Sequence, residues 1–178
     1  ISSGNAAGTT AGQMANIRNA TAAATGEYAN AQKAVIALVN SGKVAAGMLE
    51  TATGAALNLS ELTGDSIEQT TQKIIALAKA PSAQLQELNQ QYNFLTLEVY
   101  EHVQALEAQG RQTEAAEAAI EAFAKVHEQR VREARERAGF LEQAWMGVKG
   151  AVLNAWQAIK DLGRNDVDAR LDRAREAL

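Results

Sequence analysis

Residues 82–162 read SAQLQELNQQYNFLTLEVYEHVQALEAQGRQTEAAEAAIEAFAKVHEQRVREARERAGFLEQAWMGVKGAVLNAWQAIKDL, and the architecture turns on this stretch. Leu85, Leu88, Tyr92, Leu95, Val99, His102 and Leu106 follow one another at spacings of 3, 4, 3, 4, 3 and 4. A repeat of about 3.5 residues keeps a single apolar seam along a helix. A polar break follows at Gln109-Gly110-Arg111-Gln112. The seam then resumes as Ile120, Phe123, His127, Val131, Ala134, Ala138, Leu141, Trp145, Val148, Val152, Ala155, Ile159 and Leu162. A short glycine-containing link between two amphipathic helices predicts a long αα-hairpin, with helices over about 82–109 and 113–162. At ~1.5 Å per residue the first helix would measure ~42 Å and the second ~75 Å. The first would therefore cover the second only to about Gly139. Leu141, Trp145, Val148, Val152, Trp156 and Ile159 are expected to find cover elsewhere, from the N-terminal helices in a compact monomer, from a second chain, or through a bend of the helix back on itself at Gly139. The compact form is the favoured arrangement for the isolated chain, because the N-terminal helices also carry stripes that need a partner.

Upstream, residues 27–80 predict three short helices. The first, Glu27 to Asn40, places Tyr28, Ala31, Val35, Leu38 and Val39 on one side, and Ser41-Gly42 ends it with a residue suited to a left-handed cap. The second runs from Val44 to Leu62, where Gly47 and Gly54 would let another backbone approach closely. The third opens at Asp65-Ser66-Ile67-Glu68, read as a capping box in which Asp65 and Glu68 exchange backbone hydrogen bonds. Pro81 stops it, since the ring removes a donor and restricts Ala80. Residues 1–26, mostly Ala, Gly, Thr, Ser and Asn, read as a flexible or partly helical lead-in anchored by Met14 and Ile17. Residues 164–178 are charged around a thin stripe of Val167, Leu171, Ala174 and Leu178, and read as a linker helix.

The fold class that follows is all-α, with coiled-coil-like seams and no credible sheet. One proline in 178 residues rich in Ala, Glu, Gln and Leu agrees with it. The absence of cysteine excludes disulfides, thiolate chemistry and cysteine-based zinc sites. The net charge is −4; residues 1–80 hold five acids and five bases, residues 81–178 sixteen and twelve. That balance has no general attraction for phosphate backbones, so no nucleic-acid site is expected. No apolar run approaches the ~20 residues of a membrane span, and no secretory signal pattern opens the chain. The chain starts at Ile1 without an initiator methionine and is expected to be a piece of something longer.

Catalytic constellations are not found. His127-Glu128-Gln129-Arg130-Val131 begins like a zinc-protease helix, but that motif requires a second imidazole where Val131 stands. In a hairpin centred near Gly110, His127 lies opposite about Gln91 to Asn93, at least ~14 Å along the axis from His102, so the two histidines cannot share a metal. Glu114, Glu117 and Glu121 share a helical face of the kind that is usually solvated, as do the interleaved Glu128, Glu133, Glu136 and Arg130, Arg132, Arg135, Arg137. No glycine loop has phosphate-cradling spacing, and no serine lies in a nucleophile elbow. The chain is read as a non-enzyme, with no catalytic residue, metal ligand or cofactor.

A set of short motifs appears in a characteristic order: Ala80-Pro81-Ser82, Leu85-Gln86-Glu87-Leu88-Asn89, Asn93-Phe94-Leu95-Thr96, Tyr100-Glu101 and Ala105-Leu106. Gln109-Gly110-Arg111, Glu114-Ala115, Leu141-Glu142-Gln143-Ala144-Trp145, Val148-Lys149 and Gly163-Arg164 continue it. In this order the chain resembles the tail-length tape measure proteins of lambda-like phages and prophages, best from about Gly26 to Arg164. The resemblance implies a structural role, setting tail tube length during virion assembly, inside the tube lumen of the virion tail and in the host cytoplasm before that. It also implies partners: other copies of the same chain, tail assembly chaperones, and tail tube and tail tip proteins. The alternative that the seams alone allow is a helical coiled-coil interaction module of a bacterial signalling or secreted protein. The residues expected to mark an interface are Phe94, which lies off the main seam, and the stripe Leu141, Trp145, Val148, Val152 and Trp156.

Overall fold

A computed structural model of the chain describes residues 10–176, with side-chain surroundings for 10–23 and 26–155. Among the described residues every element is helical: α1 (Ala11–Thr25), α2 (Tyr28–Ser41), a 3₁₀ turn (Ala46–Met48), α3 (Leu49–Thr63), α4 (Ile67–Lys79), α5 (Pro81–Tyr92), α6 (Leu97–Ala108) and α7 (Gln112–Glu176). The chain divides into two units, Ile1–Arg132 and Glu133–Leu178.

The first unit is built around α2, which meets α1, α3 and α4, while α3 also packs on α1 and α4. Leu38, Leu49, Leu59, Ile74 and Leu77 lose all contact with water between these helices, and Ala31, Ala34, Ala52, Ala55 and Ala56 keep the backbones close. Burying a large aliphatic side chain contributes ~1.5 to 3 kcal/mol, so this apolar cluster holds the unit together. The same core continues through Leu85 and Leu88 of α5, Val103 and Leu106 of α6, and Ala115, Ala119, Ile120 and Phe123 at the start of α7. The buried hydroxyls of Thr21, Thr53 and Thr70 donate to carbonyls of the preceding turn, at Ile17, Leu49 and Ile67, and so enter the core satisfied.

Several local expectations change. α1 supplies a helical part to the lead-in, as one of its two readings allowed; Thr10 caps it by accepting from Gln13 N, and Gln13 reaches back to Thr10 N at 2.8 Å. The capping box of α4 belongs to Ser66 and Gln69, one residue beyond the predicted pair. Asp65 and Glu68 instead pair with Lys73 and Lys33. A β-carbon at Gly54 would meet nothing within 4 Å, so the close approach in α3 is made by its alanines.

The largest change is in the first arm of the expected hairpin. It is not one helix over 82–109 but two, α5 and α6, separated at Asn93–Thr96. Asn93 takes a left-handed backbone (φ 47°), which asparagine tolerates better than most residues. The Asn89 carboxamide oxygen accepts from Phe94 N at 2.9 Å and Leu95 N at 2.8 Å, and Thr96 caps α6 by accepting from Val99 N. The buried positions of α6 are Val103 and Leu106, with His102 exposed. The turn at Gly110 is as expected: its φ of 73° allows Gly110 N to donate to Glu107 O and Arg111 N to Leu106 O, the paired bonds of a Schellman cap.

In the second unit, α7 keeps helical backbone through Gly139 and Gly163, so neither glycine ends the helix. Along this unit Leu141 is 67%, Trp145 69%, Val148 55% and Val152 62% exposed. The side chains of Trp156 and Ile159 lie outside the described residues, as do residues 1–9 of the predicted lead-in.

Candidate functional site

Two aromatic regions result, one closed and one open. The closed one gathers where α5 ends. Phe123 and His127 stack at 3.9 Å between ring centroids, and Tyr92 and Phe94 meet both edge-on at 5.1 to 6.4 Å. Edge-on and offset ring pairs of this kind add attraction beyond burial alone. Arg130 locks the cluster: its guanidinium donates to Tyr92 O at 2.7 Å and Asn93 O at 2.9 Å. These carbonyls end α5, where a cation complements the helix dipole. On the other side Lys73 bonds the Tyr92 hydroxyl at 2.7 Å and Asp65 at 2.8 Å.

Phe94, expected at an interface, is therefore a core residue of the first unit, 9% exposed. It left the seam because the chain leaves the helix there. His127 faces Tyr92 and Phe94, close to the Gln91 to Asn93 register read from the hairpin. It is the single buried titratable side chain among the described residues. Its Nδ1 lies 2.8 Å from Phe123 O, the geometry of an N–H donating to that carbonyl, and its buried Nε2 has no hydrogen-bond partner. Burial lowers its pKa below the ordinary imidazole value; the Phe123 carbonyl opposes this and the Arg130 charge adds to it. Among the described residues no group of three or more His, Cys, Asp or Glu could hold a metal.

The open region is on α7 between residues 139 and 155. Leu141, Trp145, Val148 and Val152 fall within an arc of ~60° at ~100° per residue, so the structure does bring these four predicted residues onto one stripe. Phe140, Met146 and Leu153 are exposed as well, on other faces. Between Gly139 and Asn154 the only charges are Glu142 and Lys149. Among the described residues no helix is long and apolar enough to cross a membrane.

Among the described residues, packed amphipathic helices around an apolar core define an all-α class of protein. Comparison with known proteins narrows this: the family model of prophage tail length tape measure proteins matches residues 1–104, more than half of the chain, and the chain belongs to that family. The matched span includes the N-terminal lead-in that carried no part of the resemblance. The tape measure protein of Pseudomonas phage PAJU2 is 28% identical over 156 residues, covering 88% of this chain and 17% of that protein. Those of Escherichia phages N15 and lambda are 27% and 26% identical over 166 residues, covering 93% of this chain and 20% of each. The chain thus spans about a fifth of the length of these curated relatives. No solved structure matches it.

Proposed function

We propose that this chain is a structural segment of a phage tail tape measure protein, acting in the lumen of the tail tube, where tube subunits are added around it until its length is used up. The observation that carries the reading is the family match over residues 1–104, joined to a chain whose described elements are all helical. A ruler requires length proportional to residue number, and an α-helix supplies it at ~1.5 Å per residue. The reading is of a non-catalytic protein whose partners are tail tube and tail tip proteins, with tail assembly chaperones before assembly in the host cytoplasm. A signalling or secreted coiled-coil module is not favoured by any observation.

The apolar stripe of α7 is read as the contact with other copies. In heptad terms Leu141 and Val148 are d positions, and Ala138, Trp145 and Val152 are a positions. Arg137 then occupies a g position and Glu142 the following e position, which face each other across a parallel pair of identical helices. One heptad earlier Arg130 would face Arg135 of the other copy, so the seam pairs from Arg137 onward.

Tail length in the intact phage tests the ruler. Duplicating residues 135–176 adds six heptads in phase with the seam, and tails should lengthen by ~63 Å in electron micrographs if the segment is extended helix in the tail. Infectious particles with unchanged tail length would overturn the reading.

A further inference from the structure

We propose that His127 is a proton-operated latch that holds the first turns of α7 against the α5–α6 junction and releases them in mild acid. The observation is a cluster, not a lone histidine. The ring is 1% exposed, is enclosed by Phe123, Tyr92 and Phe94, and offers one nitrogen to a carbonyl and the other to nothing. A neutral imidazole fits this box with Nδ1 protonated. An imidazolium does not: its second N–H would be buried without an acceptor, and its charge would have no counter-ion.

The charged and titratable groups around the box favour the neutral form. From α7 itself comes Arg130, whose guanidinium is fixed on Tyr92 O and Asn93 O three residues along the helix. From α5 comes the Tyr92 phenol, and from α4 the Lys73 ammonium bonded to it, with Asp65 already engaged by Lys73. The α5–α6 connection contributes Asn93, Phe94 and Leu95, none of them titratable. Glu128 points to Arg132 on the solvent side of α7. The Phe123 face would attract a cation, but that attraction is small beside the cost of taking an imidazolium out of water.

The sign follows from linkage. With the folded-state value depressed, the opened state binds the extra proton. The stability contributed by the neutral ring is full above the ordinary imidazole value of ~6.5 and is lost as pH falls toward the folded value. Within that window the opening equilibrium grows about tenfold per pH unit. The effect is local, because α1–α4 enclose no titratable side chain among the described residues.

Hydrogen–deuterium exchange of the 178-residue chain, corrected for intrinsic exchange rates, tests the latch. Protection over residues 115–131 and 93–106 should fall about tenfold per pH unit below ~6.5, while residues 49–59 keep theirs. In His127→Phe, which keeps an uncharged ring in the box, the fall should disappear. A fall that persists in His127→Phe, or no fall in the wild type, overturns the proposal. Should His127→Phe not fold, the imidazole titration of the wild type by NMR decides: a midpoint below the ordinary value with linked loss of protection supports the latch, and an ordinary midpoint overturns it.

Discussion

Residues 115–131 and residues 138–155 lie on one helix, α7, and share one apolar period, yet their fates differ. In the first stretch Ala119, Ile120, Phe123, His127 and Val131 are buried; in the second Leu141, Trp145, Val148 and Val152 are wet. Periodicity therefore specifies a helix with a stripe and leaves open what lies against the stripe. In the first unit the supply of faces and the demand match: α5 and α6 bring Leu85, Leu88, Val103 and Leu106, and α7 answers with Ala115, Ile120 and Phe123. In the second unit Leu141, Trp145, Val148 and Val152 are exposed on α7.

The comparison is broken most severely at Phe123, which is fully buried among Tyr92, Phe94 and His127. Phe123→Ala should cost ~3 to 5 kcal/mol, through lost burial and the cavity left in a packed cluster. Urea denaturation at equilibrium checks this, and a loss under about 1 kcal/mol would show that the first stretch is no better packed than the second. Asn89→Ala comes next. Its carboxamide serves two backbone N–H groups, those of Phe94 and Leu95, which no other group is seen to satisfy. The expected cost is ~1 to 3 kcal/mol, the penalty of half-buried donors left unmet. A neutral result would mean that water reaches the junction.

How much of this was legible in the sequence can be traced residue by residue. The turn at Gly110 and the facing of His127 with the end of α5 follow from composition and spacing alone, because a left-handed cap needs glycine and the helix rise fixes the register. The break at Asn93 was hidden, since Tyr92 and Leu95 keep the seam spacing across it. The signal that could have found it is Asn93 followed by Thr96 with Glu98 in the next turn, a helix end followed by an N-cap. Arg130 was hidden for a different reason. In sequence it belongs to a mixed-charge run of the solvated type, and only tertiary structure shows its guanidinium reaching 38 residues back to a carbonyl. What lies against Trp145 is not legible either, because spacing shows a stripe and not the surface that meets it.

A smaller effect sharpens the account of the small residues. Gly54 sits inside α3, and an added β-carbon there meets nothing within 4 Å. Gly54→Ala should therefore stabilise the chain by up to ~1 kcal/mol, the difference in helix propensity. A destabilised variant in thermal unfolding would reveal a close neighbour at Gly54, such as another chain.

The smallest expected effect on stability is also the one that separates the two stretches most directly. Trp145 lies on the same helix as Phe123, but it is 69% exposed. If the stripe has no partner within the chain, Trp145→Ala removes no buried surface and should change the stability of dilute protein by no more than ~0.5 kcal/mol, as surface substitutions do. Trp156→Phe as the background leaves Trp145 as the sole indole, and its emission should lie at the wavelength of a hydrated ring. At high protein concentration the outcome should differ. A seam shared between copies makes the unfolding midpoint rise with concentration, since association stabilises by mass action. Trp145→Ala should flatten that rise while leaving the dilute midpoint in place. A cost above ~2 kcal/mol in dilute protein would be the signature of a core residue. It would mean that the stripe is covered within one chain after all, and that the contrast between the two stretches of α7 does not hold in solution.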